Sequence, residues 1–166
     1  MKKLTFISLE SVFSGVVQSG MAEMIDSLAN SLSNEYQVSI LCPYGKGVLV
    51  TNAAKVTLFK KGIRYSRFSQ VDYYLIDKEI WENSVIDLIS YLKPDIIHNC
   101  AEPEIITKIK HKPKKTIYTF DQAEFLKDKE EFLKEYNFVT TSSINYAKEV
   151  LSQDTKLATI LKSINF

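Results

Sequence analysis

The residues in this chain that could do chemistry gather where short apolar runs stop. In "YLKPDIIHNCAEPEI", residues 91 to 105, a buried-looking strand ends in His98, Asn99, Cys100 and, two residues on, Glu102. An imidazole titrates near neutrality, so His98 has the chemistry of a general acid–base group or of a hydrogen-bond partner for a substrate hydroxyl. A structural histidine satisfied at a strand end is the equal alternative. Glu10, Glu23, Glu102 and Asp121 are candidates for a carboxylate pair, weighed against the plainer reading of solvated loop acids. The stretch "SGVVQSGM" opens straight into a helical pattern, so its N–H groups and the helix dipole could hold a phosphate or an anionic sugar derivative. It contains only Gly15 and Gly20 and has no Walker lysine, so it is neither a dinucleotide nor a P-loop motif; no cofactor is expected. The plainer reading has Ser19 capping the helix and Gly20 easing the turn. His98 and Cys100 are too few for zinc and His111 falls on the far side of a helix, so no metal is expected either.

These residues must be positioned by the elements around them. "KLTFISL" and "QVSILCP" read as strands. Between them Met21, Ile25, Leu28 and Leu32 recur at helical steps on one face. "KVTLFKKG" and "VDYYLID" look like strands flanking "IRYSRFSQ", either as a hairpin or as an excursion from the sheet. Trp81, Val85, Leu88, Ile89 and Leu92 share the next helical face, which Pro94 ends. "DIIHN" and "KTIYTF" follow as strands with a helix expected in "EPEIITKIKH", where Pro103 fits the first turn. "AEFLKDKEEFLKEY" turns Phe125, Leu126, Phe132, Leu133 and Tyr136 inward, "NFVTTS" is a further strand, "INYAKEVLSQ" a helix, and "KLATILKSINF" the last element. Runs such as "DIIH" and "FVTT" lack polar alternation, as strands covered on both faces do. The expected fold class is α/β, a doubly wound parallel sheet of Rossmann type. In such a sheet ligands bind outside the strand carboxyl ends, which collects Glu10 to Gly20, His98 to Glu102, Asp121 with Gln122, and Ser142 with Ser143.

Composition excludes several function classes. A length of 166 residues with 45% hydrophobic content suits one domain spanning 1–166. Lys and Arg number 21 against 20 Asp and Glu, a net charge of +1, so no global field gathers nucleic acid or an anionic membrane. Glu10 interrupts the first apolar run before a signal-peptide core forms, and no run approaches the ~20 apolar residues of a membrane span. A cytoplasmic protein with Cys42 and Cys100 reduced is the expectation. The aromatics Tyr65, Phe68, Tyr73, Tyr74 and Trp81 are read as packing before sugar or base stacking. The basic stretch "KIKHKPKK" is read as a solvated face.

The order of these pieces resembles the amino-terminal half of glycogen and starch synthases, retaining glycosyltransferases of family 5 built from two Rossmann-like domains facing across a cleft (GT-B type). The resemblance covers nearly the whole chain. The family's first strand ending in S-x-E and its K-T-G-G-L-A-D-V loop correspond to "ISLE" and "VQSGMAEMIDSLANSL"; P-D-I-V-H-A-H-D-W-H to "PDIIHNCAEP"; T-I-H-N to "TFDQ"; T-V-S-x-x-Y-A-x-E-I to "TSSINYAKEV"; and the interdomain junction G-I-L-N-G-I-D to "ILKSIN".

The resemblance implies substrate-binding roles for Glu10, Ser19, Gly20, Glu23, His98, Asp121 and Gln122, and a nucleotide sugar and an α-1,4-glucan as ligands. The departures are specific. The loop lysine that contacts donor phosphate falls on Val17, and the first of the paired glycines is Ser19. The second histidine, which contacts the transferred sugar, falls on Cys100; the D-W-H that follows becomes Ala101, Glu102 and Pro103; and His-Asn becomes Asp121 and Gln122. A valine cannot grip a phosphate, and an aspartate repels it. No catalytic residue is therefore assigned. The expectation is an acceptor-side domain without the donor-binding domain, inactive alone because transfer needs two walls to orient the sugar and exclude water. A donor-binding domain or subunit is the implied partner. The alternative is a non-catalytic glucan-binding or regulatory module on the same fold. An unrelated nucleotide-binding or response-regulator-like domain is disfavoured, since no phosphate loop or acidic phosphoacceptor cluster is present.

Overall fold

The computed structural model describes residues 1–45, 55–121, 126–141, 144–153 and 155–163. In chain order these form β1 (Lys2–Ser8), α1 (Met21–Leu32), β2 (Tyr36–Pro43), β3 (Val56–Lys60), β4 (Ile63–Phe68), β5 (Val71–Ile76), α2 (Trp81–Leu92), β6 (Ile96–Cys100), α3 (Ile105–Lys108), β7 (Lys115–Phe120), a 3-10 helix at Glu130–Glu135, β8 (Phe138–Thr141), α4 (Ile144–Ser152) and α5 (Lys156–Ser163). One eight-stranded sheet runs β3-β4-β5-β2-β1-β6-β7-β8. From β5 to β8 every neighbouring pair is parallel. Renumbered along the chain, those parallel strands lie in the spatial order 3-2-1-4-5-6, the doubly wound Rossmann order, with its reversal between β1 and β6.

The expected parallel sheet thus carries an antiparallel addition. "IRYSRF" is itself a strand, β4, paired antiparallel to both β3 and β5. Its two turns explain the meander. Ser69 and Gln70 both take positive φ, 47° and 68°, the left-handed pair that a two-residue hairpin loop of matching twist demands. Gly62 sits at φ 76°, the left-handed region that favours glycine, and an added Cβ there would lie 2.4 Å from Ile80 Cδ1, which would have to move aside.

Strand alternation divides the core between the two faces. Leu4, Phe6, Val38, Ile40 and Tyr73 pack beneath Met21, Ile25 and Ala29 of α1. Ile7, Leu41, Tyr74, Ile76 and Ile97 pack against Val85, Leu88 and Ile89 of α2. The α2 stripe predicts this face correctly, and the helix stops at Lys93, left-handed at φ 49°, just before Pro94. A third cluster joins Tyr118 and Phe120 of β7 to Leu133, Tyr136, Val150, Leu157 and Ile160.

Two elements are shorter than their patterns suggest. The helix expected through "EPEIITKIKH" lasts four residues, and Ile109 beyond it is buried in extended backbone at φ −78°, ψ 122°. In "AEFLKDKEEFLKEY" the regular part is the 3-10 helix; Leu126, Leu133 and Tyr136 are buried, Phe132 is half-buried, and Phe125 lies outside the described residues. The aromatic group packs as core and sheet surface: Tyr73 stacks on Phe13 at 4.1 Å, and Tyr74 meets Phe59 edge-on at 5.3 Å.

Candidate functional site

A cavity of about 470 Å³ opens at the carboxyl edge of the sheet where the strand order reverses. Its wall comes from the segments after β1 (Leu9, Glu10, Gln18, Ser19, Met21), after β6 (Cys100 to Pro103) and at the end of β7 (Tyr118 to Asp121), with Lys129 beyond. This is where a doubly wound sheet places a ligand, because two neighbouring crossover loops diverge to opposite faces and leave a crevice.

The first loop is fastened from within. Ser8 Oγ donates to the Glu10 carbonyl at 2.6 Å and accepts from its N–H at 3.1 Å, ending β1 in a tight turn. Ser11 and Val16 form an isolated antiparallel bridge, closed by Gly15 at φ 73°. Asp26 reaches back from α1 and accepts from the Val12 N–H at 2.8 Å, from Ser11 Oγ and from the Tyr73 hydroxyl at 3.0 Å. Burial raises the Asp26 pKa, against the hydrogen bonds that favour its charge. Cys42 nearby is buried, and burial pushes its thiol up to about 12.

Glu10 supplies the acceptor for the rest of that loop. Its Oε2 takes the N–H groups of Gln18 at 2.9 Å and Ser19 at 2.8 Å, and its Oε1 takes the Ser19 hydroxyl at 2.8 Å. Ser19 Oγ in turn accepts from the Met21 N–H at 3.1 Å, but the N-cap position itself is Gly20, which has no side-chain cap, so Ser19 serves the helix from one residue earlier than a cap would. Gly20 sits at φ −66°, with nothing within 4 Å of an added Cβ; the turn does not need a glycine there.

The second loop is fastened mainly by buried neutral groups, with an ion pair further along. Asn99 is fully buried: its Oδ1 accepts from the Ala101 N–H at 2.9 Å, and its Nδ2 donates to the Glu102 carbonyl at 2.9 Å and the Tyr136 hydroxyl at 2.7 Å. The Tyr136 hydroxyl donates to the Pro103 carbonyl at 2.8 Å, and that of Tyr118 to the Ala101 carbonyl at 3.0 Å. Trp81 Nε1 donates to Glu102 at 3.3 Å, and Lys129 pairs with Glu104 at 2.7 Å.

His98 lies beneath this wall rather than on it. It is 8% exposed, its Nε2 is 2.7 Å from Thr119 Oγ1, and its ring lies 5.0 Å from that of Phe6. Burial lowers its pKa to about 4, so the imidazole is neutral at physiological pH. Burial also pushes the Cys100 thiol up to about 12, removing it as a nucleophile.

Of the residues singled out from sequence, the cavity brings together Glu10, Ser19 and Asp121, with Glu102 and Cys100 from the same reading. Glu23 is exposed on α1 and is not part of the wall, and Gly20 lies beside it. Gln122, Ser142 and Ser143 lie outside the described residues. The reading of the sequence reached Gln18 within the loop from Glu10 to Gly20 but missed Lys129, Met21, Tyr118, Thr119 and Phe120. The last three could have been found as the final residues of β7, whereas nothing marks Lys129 among the charges of "KDKEE". His111 is tied to the Pro94 carbonyl at 2.8 Å, and among the described residues no three His, Cys, Asp or Glu side chains gather as they would around a metal ion. No helix among those residues is long and apolar enough to cross a membrane. Chemically, the described wall offers three carboxylates, one ammonium and no imidazole, over the apolar surfaces of Met21, Pro103 and Phe120. That combination suits a ligand rich in hydroxyl groups, with carboxylates accepting its O–H bonds and apolar side chains covering its C–H face.

No protein-family model matches the sequence, and no curated protein matches it. Solved structures do. The catalytic domain of starch synthase IV from Arabidopsis thaliana, bound to ADP and acarbose, superposes over 99% of this chain with a TM-score of 0.71 at 14% sequence identity. The chain spans about half of that structure, 49%. At such low identity the likeness speaks for the fold: a mostly parallel Rossmann-like sheet similar to one half of the GT-B catalytic unit of a starch synthase.

Proposed function

We propose that this chain is the acceptor-side wall of a glycogen/starch synthase-like glycosyltransferase, binding an α-glucan at the cavity between β1 and β6 and transferring no sugar by itself. The observation that carries the reading is the position of that cavity. It sits at the strand-order reversal of a fold that matches a starch synthase over nearly the full chain, and it is lined for hydroxyl-rich ligands. Transfer between two large substrates calls for a second wall that holds the nucleotide sugar and keeps water from the developing oxocarbenium centre. A donor-binding domain is the partner this reading implies, and the cytoplasm its setting.

The test is calorimetry with maltooligosaccharides beside a transfer assay with ADP-glucose and UDP-glucose. Saturable glucan binding without glucosyl transfer by the chain alone is expected. Transfer by the chain alone, or no glucan binding, sinks the proposal. A second reading, a non-catalytic glucan-binding or regulatory module, draws on the withdrawal of His98 into the core and on the pairing of Lys129 with Glu104. It gains the ground if glucan binds but no donor-binding partner restores transfer.

A further inference from the structure

We propose that Glu10 sets the ligand class of the cavity: its carboxylate is the resident anion of the loop leading into α1, and by holding that seat it makes the chain refuse phosphate. The inference deepens the reading above and rests on it in taking this cavity as the ligand site. In an open parallel sheet, the N–H groups that precede the first helix are the natural seat for a ligand phosphate. Here the N–H groups of Gln18 and Ser19 already converge on one oxygen of Glu10, and the Ser19 hydroxyl on the other. These are charge-assisted bonds of 2.8 to 2.9 Å, the strong kind. A phosphate must break all three, and it then lies beside the carboxylate it has displaced, where like charges repel.

A second feature of the wall points the same way. Lys129, the ammonium on the described wall, is 2.7 Å from Glu104. Lys129, like the Gln18 and Ser19 N–H groups, therefore faces an anion of the chain itself, and Glu102 and Asp121 add further negative charge. A ligand hydroxyl needs none of these bonds broken, because a carboxylate has lone pairs left to accept its O–H. The cavity so built discriminates by charge, favouring neutral hydroxyl-bearing ligands over phosphate esters.

The test follows the backbone amide resonances of Gln18 and Ser19 while inorganic phosphate, and separately ADP, is added to the wild-type chain and to Glu10→Ala and Glu10→Gln. In the wild type these two amides stay unmoved. In Glu10→Ala the freed N–H groups take phosphate at least about tenfold more tightly, with the shifts centred on Gln18 and Ser19. Glu10→Gln removes the charge but keeps an acceptor oxygen, so it gains less, and it serves where the alanine variant does not fold. Saturable movement of the wild-type amides with phosphate overturns the assignment, as does a folded Glu10→Ala with no gain. Glucan affinity measured on the same samples separates the two readings. A chain that binds no glucan while Glu10→Ala acquires phosphate sinks the proposed function alone; glucan binding with phosphate-responsive wild-type amides sinks the role of Glu10 alone.

Discussion

The two loops that frame the cavity are held in opposite ways. After β1, the cavity-facing end is closed by Glu10 on N–H groups eight and nine residues further along, a fastening that is local, charged and half-exposed, while Asp26 holds the far end. After β6, Asn99, Tyr118 and Tyr136 tie the loop through neutral groups whose partners lie up to 37 residues away, and the ties are buried. The difference concerns what each loop can give up. A local carboxylate can be exchanged for solvent or for another anion while the fold stands. The buried amide and hydroxyls of the second loop have no substitute, since an unpaired polar group in the core costs about 1–3 kcal/mol.

Asn99→Ala tests this contrast most severely. It strands the Ala101 N–H and the Glu102 carbonyl and takes a donor from Tyr136, so it should destabilise the chain by about 3–4 kcal/mol in denaturant unfolding. A loss below about 1 kcal/mol would erase the distinction between the loops.

Next in size is the pH response of His98, which sits in β6 below the second loop. Its folded pKa, about 4, is depressed from the ordinary 6.5, so between those values the unfolded chain binds more protons than the folded one. Stability is therefore full above pH 6.5 and falls as pH drops toward 4, by at most about 3 kcal/mol. His98→Gln should flatten this part of the profile. The Asp95 carboxyl, held low by the Lys3 N–H and by Lys114, loses its contribution only as pH falls further.

Glu10→Ala should lower stability by only about 1–2 kcal/mol, because water can reach the N–H groups it vacates. Smallest is Gly20→Ala, expected within about 0.5 kcal/mol since the backbone there is ordinary and the space open. Reduced glucan affinity in a Gly20→Ala chain of unchanged stability would show that the glycine serves ligand approach rather than the turn.

Much of the parallel sheet was legible in the sequence because β1, β2, β6 and β7 are covered on both faces and so read as apolar runs. β4 was not. "IRYSRF" presents Arg64, Tyr65 and Arg67 to partial or full solvent, and its identity depends on a turn, Ser69-Gln70, whose left-handed backbone no glycine announces. The overlong α3 has a related cause: Ile105 and Ile109 stand at helical spacing, yet Ile109 reaches the same core from extended chain. For the site, the strand ends were legible as places and the roles were not. Pattern put His98 at a strand end, but only three-dimensional neighbours show it sealed between Phe6 and Thr119. The use of Glu10 as acceptor for Gln18 and Ser19 is invisible without the fold-back of the loop, and Lys129 enters from the charged run "KDKEE" between the apolar positions of its segment, which pattern assigns to solvent.

The antiparallel hairpin of β3 and β4 has an effect far from where it sits. By pairing with β5 it turns what would be the rim of the parallel sheet into an interior strand, buried at all six positions. The slowest-exchanging amides of this protein should therefore be found in β5, β2 and β1, displaced toward the hairpin. The cavity then straddles a boundary: its β1 side rests on that protected set, while its β7 side lies only one strand in from the opposite rim.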